Sequence, residues 1–259
     1  MSVEEKKERL KRLADSDQFI SGVYNYCDRW CERCTLRSRC LSFAMDPDLR
    51  TDARPGLDNE VFWTGIHESF QLAMELLQES SEKWGIDLNV APDPGIQERE
   101  RRRERLVESE PLTREAMAYA KVVDDWMERY EDRFAEHAKQ MEREVEMELP
   151  GHDPIPDVLD LHDALEVVRW YQHFLYPKIS RVLMGLGDDE RDMMDDVLGS
   201  AKIALIAIQR SLGAWKTLGD QLGLQNEALD IQMRLVQIKK ELEKRTPGAM
   251  AFQRPGFDE

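Results

Sequence analysis

Cysteine is missing before residue 27 and again after residue 40, so no disulfide framework spans this 259-residue chain. Long apolar runs are missing too: none approaches the roughly 18 residues that a membrane-spanning helix needs, which argues against a membrane protein. Basic side chains are in deficit. With 36 Lys and Arg against 52 Asp and Glu, the net charge of −16 repels phosphate backbones and disfavours a nucleic-acid partner. Glycine and proline are sparse, at 14 and 11, and no Val-, Ile- or Thr-rich stretch alternates with polar residues. Strands therefore have little support, whereas long helices have much. No nucleophile elbow, phosphate loop or supported Ser-His-Asp order occurs, and GLGDDE at 185–190 lacks the lysine and preceding strand of a phosphate loop. The opening MSVEEKKERLKRL is charged throughout, so no secretory signal is read there and a cytoplasmic location is expected.

What is present is helical periodicity from one end to the other. A short charged helix is expected over 3–14 and a cysteine-rich helix over about 17–45, followed by an exposed linker at 46–58. A helix over about 59–84 carries Val61, Ile66, Phe70, Ala73 and Leu77 as an apolar stripe. The run at 96–106 holds five arginines and reads as a solvated helix, or else as a docking patch for an acidic partner. Further helices are expected over 113–149, over 157–184 with a kink at Pro177, over 190–219 and over 225–245. The 190–219 helix is apolar nearly all round, which places it at the centre of the molecule. The fold class is all-α, an up-and-down bundle of about five long helices. Its parts are the cysteine segment 1–45, the linker 46–58, the bundle 59–245 and an irregular tail 246–259, together one compact domain.

The chemistry-bearing feature is the stretch YNYCDRWCERCTLRSRC, with Cys27, Cys31, Cys34 and Cys40 spaced C-x3-C-x2-C-x5-C. Clustered cysteines without a secretory signal point to a metal site. No glycine or proline interrupts 23–44, so the segment is expected to be largely helical, with Cys27, Cys31 and Cys34 on one face. The rise from Cys27 to Cys34 along a helix is about 10 Å, too far for three sulfurs to reach one small ion undistorted. A [4Fe–4S] cluster holds its thiolates farther apart and tolerates that spread better, with zinc as the alternative and plain reduced cysteines as a third reading. Arg29, Arg33, Arg37 and Arg39 offset thiolate charge, and Tyr24, Tyr26, Trp30 and Phe43 supply an apolar shell. The same C-x3-C-x2-C element opens the radical S-adenosylmethionine motif, but that motif needs a barrel strand before it.

Outside the cysteines, a looser pattern pairs Glu60 with His67 and Glu166 with His173, each seven residues apart, and Glu68 and Asp163 lie nearby. A clean Glu-x-x-His is absent, so a second carboxylate–histidine site in the bundle core requires groups from two helices. Lys202 and Gln209 share a face of the most apolar helix, where a buried charge needs a partner such as Asp195, Glu166 or Glu68.

The residues YNYCDRWCERC…RC, the helix SAKIALIAIQRSLGAW and the ending FQRPGFDE together resemble a set of bacterial helical proteins of similar length that carry an N-terminal cysteine-rich segment. No established activity comes with that set, so the resemblance implies only that Cys27, Cys31, Cys34 and Cys40 act as one site. Thr35 stands where the resemblance leads one to expect proline. Three functions fit: a metal-binding protein with a structural, redox-sensing or electron-transferring centre; a metal-dependent oxidoreductase with a second site in the bundle; or a protein–protein interaction module. No catalytic residue is assigned, and the oligomeric state is not written in the pattern.

Overall fold

Poor strand formers and abundant Leu, Ala, Glu, Lys and Arg leave this chain little choice but helix. The computed structural model describes residues 3–45, 59–88, 94–147, 153, 155–186 and 191–258, and among them there is no strand. The helices are α1 (Val3–Ala14), α2 (Leu41–Met45), α3 (Asn59–Trp84), α4 (Pro94–Ser109), α5 (Pro111–Arg129), α6 (Glu131–Met147), α7 (Ile155–Gln172), α8 (Leu175–Gly185), α9 (Arg191–Leu222) and α10 (Gln225–Arg245). The all-α class is what the sequence leads one to expect. The expected linker 46–58 lies outside the described residues. The chain divides into two compact units, Met1–Arg99 with Arg254–Glu259, and Glu100–Gln253.

The second unit is built around α9, which packs against α7, α8 and α10. Ala201, Ile203, Ala204, Leu205, Ala207, Ile208, Trp215 and Leu218 of α9 are all buried. By length and composition its Met194–Leu222 stretch would also cross a membrane; here 67% of its most apolar window is buried inside the protein. Trp215 donates to the buried Tyr119 hydroxyl at 3.1 Å, and Gln172 donates to the Ala120 carbonyl at 3.1 Å and to Asp124, tying α7 to α5. The Lys202 ammonium is buried, and it donates to the Phe252 carbonyl at 2.6 Å. Gln209 is exposed. The Arg210 guanidinium bonds the Tyr171 hydroxyl at 2.6 Å.

Two expected long helices are broken. The 113–149 helix ends at Arg129 and restarts at Glu131, because Tyr130 turns to φ −109°, ψ 17°. Rings of Tyr130 and Phe134 stand 5.2 and 5.7 Å from Trp126, which itself meets Trp215 at 4.9 Å, so aromatic packing sets the bend. Met117 of α5 is 52% exposed. The 157–184 helix breaks at His173–Phe174 instead of kinking at Pro177. The proline falls in the first turn of α8, where its missing N–H is harmless, and a continuous helix would have driven its ring into the His173 carbonyl.

In the first unit α1 packs on α3 through ions. Lys6 pairs with Glu68, Lys7 with Glu75 (3.3 Å) and Glu79 (3.0 Å), and Lys11 with Glu79 (2.5 Å). Lys7 is buried and also meets Glu4 at 2.7 Å. Arg9 donates to the Ala44 carbonyl at 2.9 Å, fastening α1 to α2.

Candidate metal centre

The cysteine segment is not a helix. Residues 21–26 form consecutive turns, two 3-10 turns follow at Cys31–Arg33 and Arg37–Arg39, and regular helix begins only at Leu41. Local chemistry explains why the expected helix fails. Gly22 sits at φ +72° and Arg29 at φ +57°, both left-handed, and a non-glycine residue rarely adopts the latter without something holding it. The Asp28 carboxylate accepts the Trp30 N–H at 3.2 Å, a side-chain bond that competes with helix formation. The buried Trp30 ring, with the Arg33 guanidinium stacked over it at 4.0 Å, anchors the next turn. With no continuous helix, the three cysteines do not march along one face, and the rise that weighed against a single ion does not apply.

The two short turns are alike. Cys31-Glu-Arg ends at Cys34, whose N–H donates to the Cys31 carbonyl at 3.2 Å; Arg37-Ser-Arg ends at Cys40, whose N–H donates to the Arg37 carbonyl at 3.3 Å. Cys34 and Cys40 are both extended, at ψ 123° and 116°. The Ile20 N–H donates to the Arg39 carbonyl at 3.0 Å and closes the segment into a loop.

This folding brings all four cysteines to one cavity of about 20 Å3. Its other walls include Val23, Tyr24, Trp30, Leu36 and Phe43, and Phe257 from the 254–258 stretch. Of the expected apolar shell, Tyr24, Trp30 and Phe43 line the cavity and Tyr26 does not; of the expected cations, Arg29 and Arg37 reach it. Val23, Asp28, Leu36 and Phe257 were not expected there, and nothing local in the sequence marks Phe257, which lies far along the chain. It is held by its neighbours: Arg254 grips Asp258 through two bonds of 2.9 and 3.0 Å, and the Arg254 guanidinium sits 4.9 Å from the Phe257 ring centre. Gly256, at φ +73°, lets the turn close against Ile20, where a Cβ would stand 2.6 Å from the Ile20 Cδ1.

Burial favours the protonated thiol at Cys27 and Cys31. Burial pushes Cys27 up, partly opposed by the Arg29 backbone N–H directed at it. Its Sγ lies 3.5 Å from the Tyr24 carbonyl, to which the thiol donates. Cys31 is pushed up to about 11, first by burial and then by repulsion from Cys27, Cys34 and Cys40. Thiols held protonated in this way become thiolates when a cation joins them. The chemistry of the donors therefore fits a tetrathiolate centre. Among the described residues, however, no three of His, Cys, Asp and Glu are gathered closely enough to share one ion, the cysteines included. A zinc ion would draw the sulfurs inward, and a cubane cluster would part the walls of an ion-sized cavity.

The second, carboxylate–histidine set is not gathered among the described residues. Glu68 is taken by Lys6, and Glu166 lies 3.9 Å from His162. His67, Asp163 and His173 are exposed, and the Glu60 side chain lies outside the described residues. No known protein family, curated protein or solved structure matches the chain.

Proposed function

We propose that this is a metal-binding protein in which Cys27, Cys31, Cys34 and Cys40 hold one centre as thiolates, either a [4Fe–4S] cluster or a zinc ion. The observation that carries this reading is that all four cysteines, and no other thiol, ring one cavity inside an irregular segment. A stretch of 25 residues without long helices, such as 16–40, has little regular hydrogen bonding to support it, and metal ligation is the usual substitute. Arg29 and Arg37 at the cavity offset the anionic charge, and the Arg29 N–H directed at Cys27 sets that sulfur's orientation and basicity. The bound centre would staple the segment to Phe257. If it is a cluster, it would also accept or give an electron within that apolar wall.

The experiment is metal and acid-labile sulfide analysis of protein purified without oxygen, with a visible spectrum. About four irons with sulfide and a brown band near 400 nm identify a cluster, whereas about one zinc in a colourless sample identifies a structural ion. Cys34→Ser is expected to cut metal content at least about tenfold. A sample with neither metal, or a Cys34→Ser variant that loads fully, overturns the proposal.

A further inference from the structure

α3 is amphipathic in a way that α1 does not satisfy. With 100° per residue, Glu68, Glu75 and Glu79, the residues that grip α1, lie on one side, and Phe70, Met74, Leu77 and Trp84 lie on the other. That other side stays in solvent: Phe70 is 69% exposed, Met74 61%, Leu77 48% and Trp84 68%. The side facing away from α1 carries no Asp, Glu, Lys or Arg between Trp63 and Trp84, in a chain that is 34% charged. Trp63, Phe70, Leu77 and Trp84 recur every seven residues, which is the repeat of a helix meant to pack along another helix.

We propose that this face of α3 pairs antiparallel with α3 of a second copy, making the protein a two-fold homodimer. The pattern is complementary to itself. With the axis between Ala73 and Met74, Phe70 of one copy meets Leu77 of the other, Trp63 meets Trp84, and Ala73 makes room for Met74, each contact occurring twice. The charge-free surface suits this occupant in particular. Two copies at −16 repel one another almost anywhere else, and here no like charges are brought face to face. The area is sufficient as well. Aromatic side chains of roughly 150–250 Å2, about two-thirds exposed, give on the order of 400 Å2 from Trp63, Phe70 and Trp84. Doubled across two copies and joined by Met74 and Leu77, this passes the about 1,000 Å2 that a specific interface needs.

The test is the mass of the full, metal-loaded chain by light scattering, over about 1–100 μM, the range in which a small interface assembles. Wild type is expected at twice the 30.2 kDa chain mass, and Phe70→Glu or Leu77→Glu at one chain with unchanged far-UV helicity. Met233→Glu, at an exposed site on α10, is expected to stay at two. Acrylamide quenching of wild-type tryptophan emission needs no substitution and should increase on dilution as α3 is uncovered. A single-chain mass at every concentration, or a two-chain mass that Phe70→Glu leaves intact, overturns the dimer and leaves the metal site untouched.

Discussion

Burial raises the Cys31 thiol to about 11, and a proton therefore stands between this residue and any metal. The consequence for stability has a definite sign. A thiol whose folded value exceeds its unfolded value keeps more protons folded than unfolded between about 9 and about 11, so the metal-free protein weakens as pH rises through that window. Metal reverses the slope, because binding releases those protons and tightens as pH rises. The metal-free protein is therefore expected to melt at falling temperatures from pH 9 to pH 11, the loaded protein to resist, and metal-free Cys31→Ser to lose part of that slope, the raised Cys27 thiol keeping a share. Thermal melts of the three forms over that range check this, and equal slopes for wild type and Cys31→Ser would refute it. At the same scale, the gathering of the four cysteines was legible and its geometry was not. Four cysteines in one short stretch declare themselves. That Arg29 would take φ +57° and that Asp28 would cap Trp30 depends on contacts the spacing alone does not reveal.

Elements with one dominant cause were readable. α3 and α10 run Asn59–Trp84 and Gln225–Arg245, as their apolar periods indicate. Breaks caused by tertiary packing, such as Tyr130 against Trp126, leave no local mark. The apolar stripe of α3 was legible too, but not that it would stay in solvent, because the contact that orients α3 is ionic and lies on its other face. Within that contact Lys7 is the buried member, and its ammonium is held charged by hydrogen bonds to Glu4, then Glu79 and Glu75. Lys11 lowers Glu79, and Lys6 lowers Glu68. Carboxylates lowered in this way contribute stability above their ordinary range and lose it as acid protonates them. Lys7→Ala leaves Glu75 and Glu79 facing each other without their cation and is expected to speed amide exchange along Val3–Ala14 more than Lys11→Ala, whose lysine is 41% exposed and screened by water. The excess should vanish below the usual carboxylate range. Hydrogen exchange at neutral and at acid pH measures both, and equal effects of the two substitutions would count against the ionic account.

For the whole molecule, the proposed metal centre would support one of the two units, while packing supports the other. The 100–253 unit buries a continuous apolar core around α9, and every cysteine lies outside it. Among the described residues of the other unit, Val23 and Trp30 are the buried apolar ones, beside the ionic contacts of α1 with α3 and the cysteine loop. A core of that size falls short of what a small unit ordinarily needs, and metal ligation is a common supplement. Chelation should therefore act on part of the molecule only. Calorimetry of loaded protein is expected to show two transitions, and metal removal should lower the first by more than about 10 °C, given the several kcal/mol that a tetrathiolate centre contributes to a small unit. The second transition, from the α9 core, should stay within about 2 °C, since all four cysteines belong to the other unit. The far-UV signal should fall little at the first transition if only the loop and its tail are lost, and by more if α1 and α3 are released with them. Either size of signal keeps the staple reading, whereas a single transition shifting as a whole would mean that metal supports the α9 core as well and that the two units are not separate in stability.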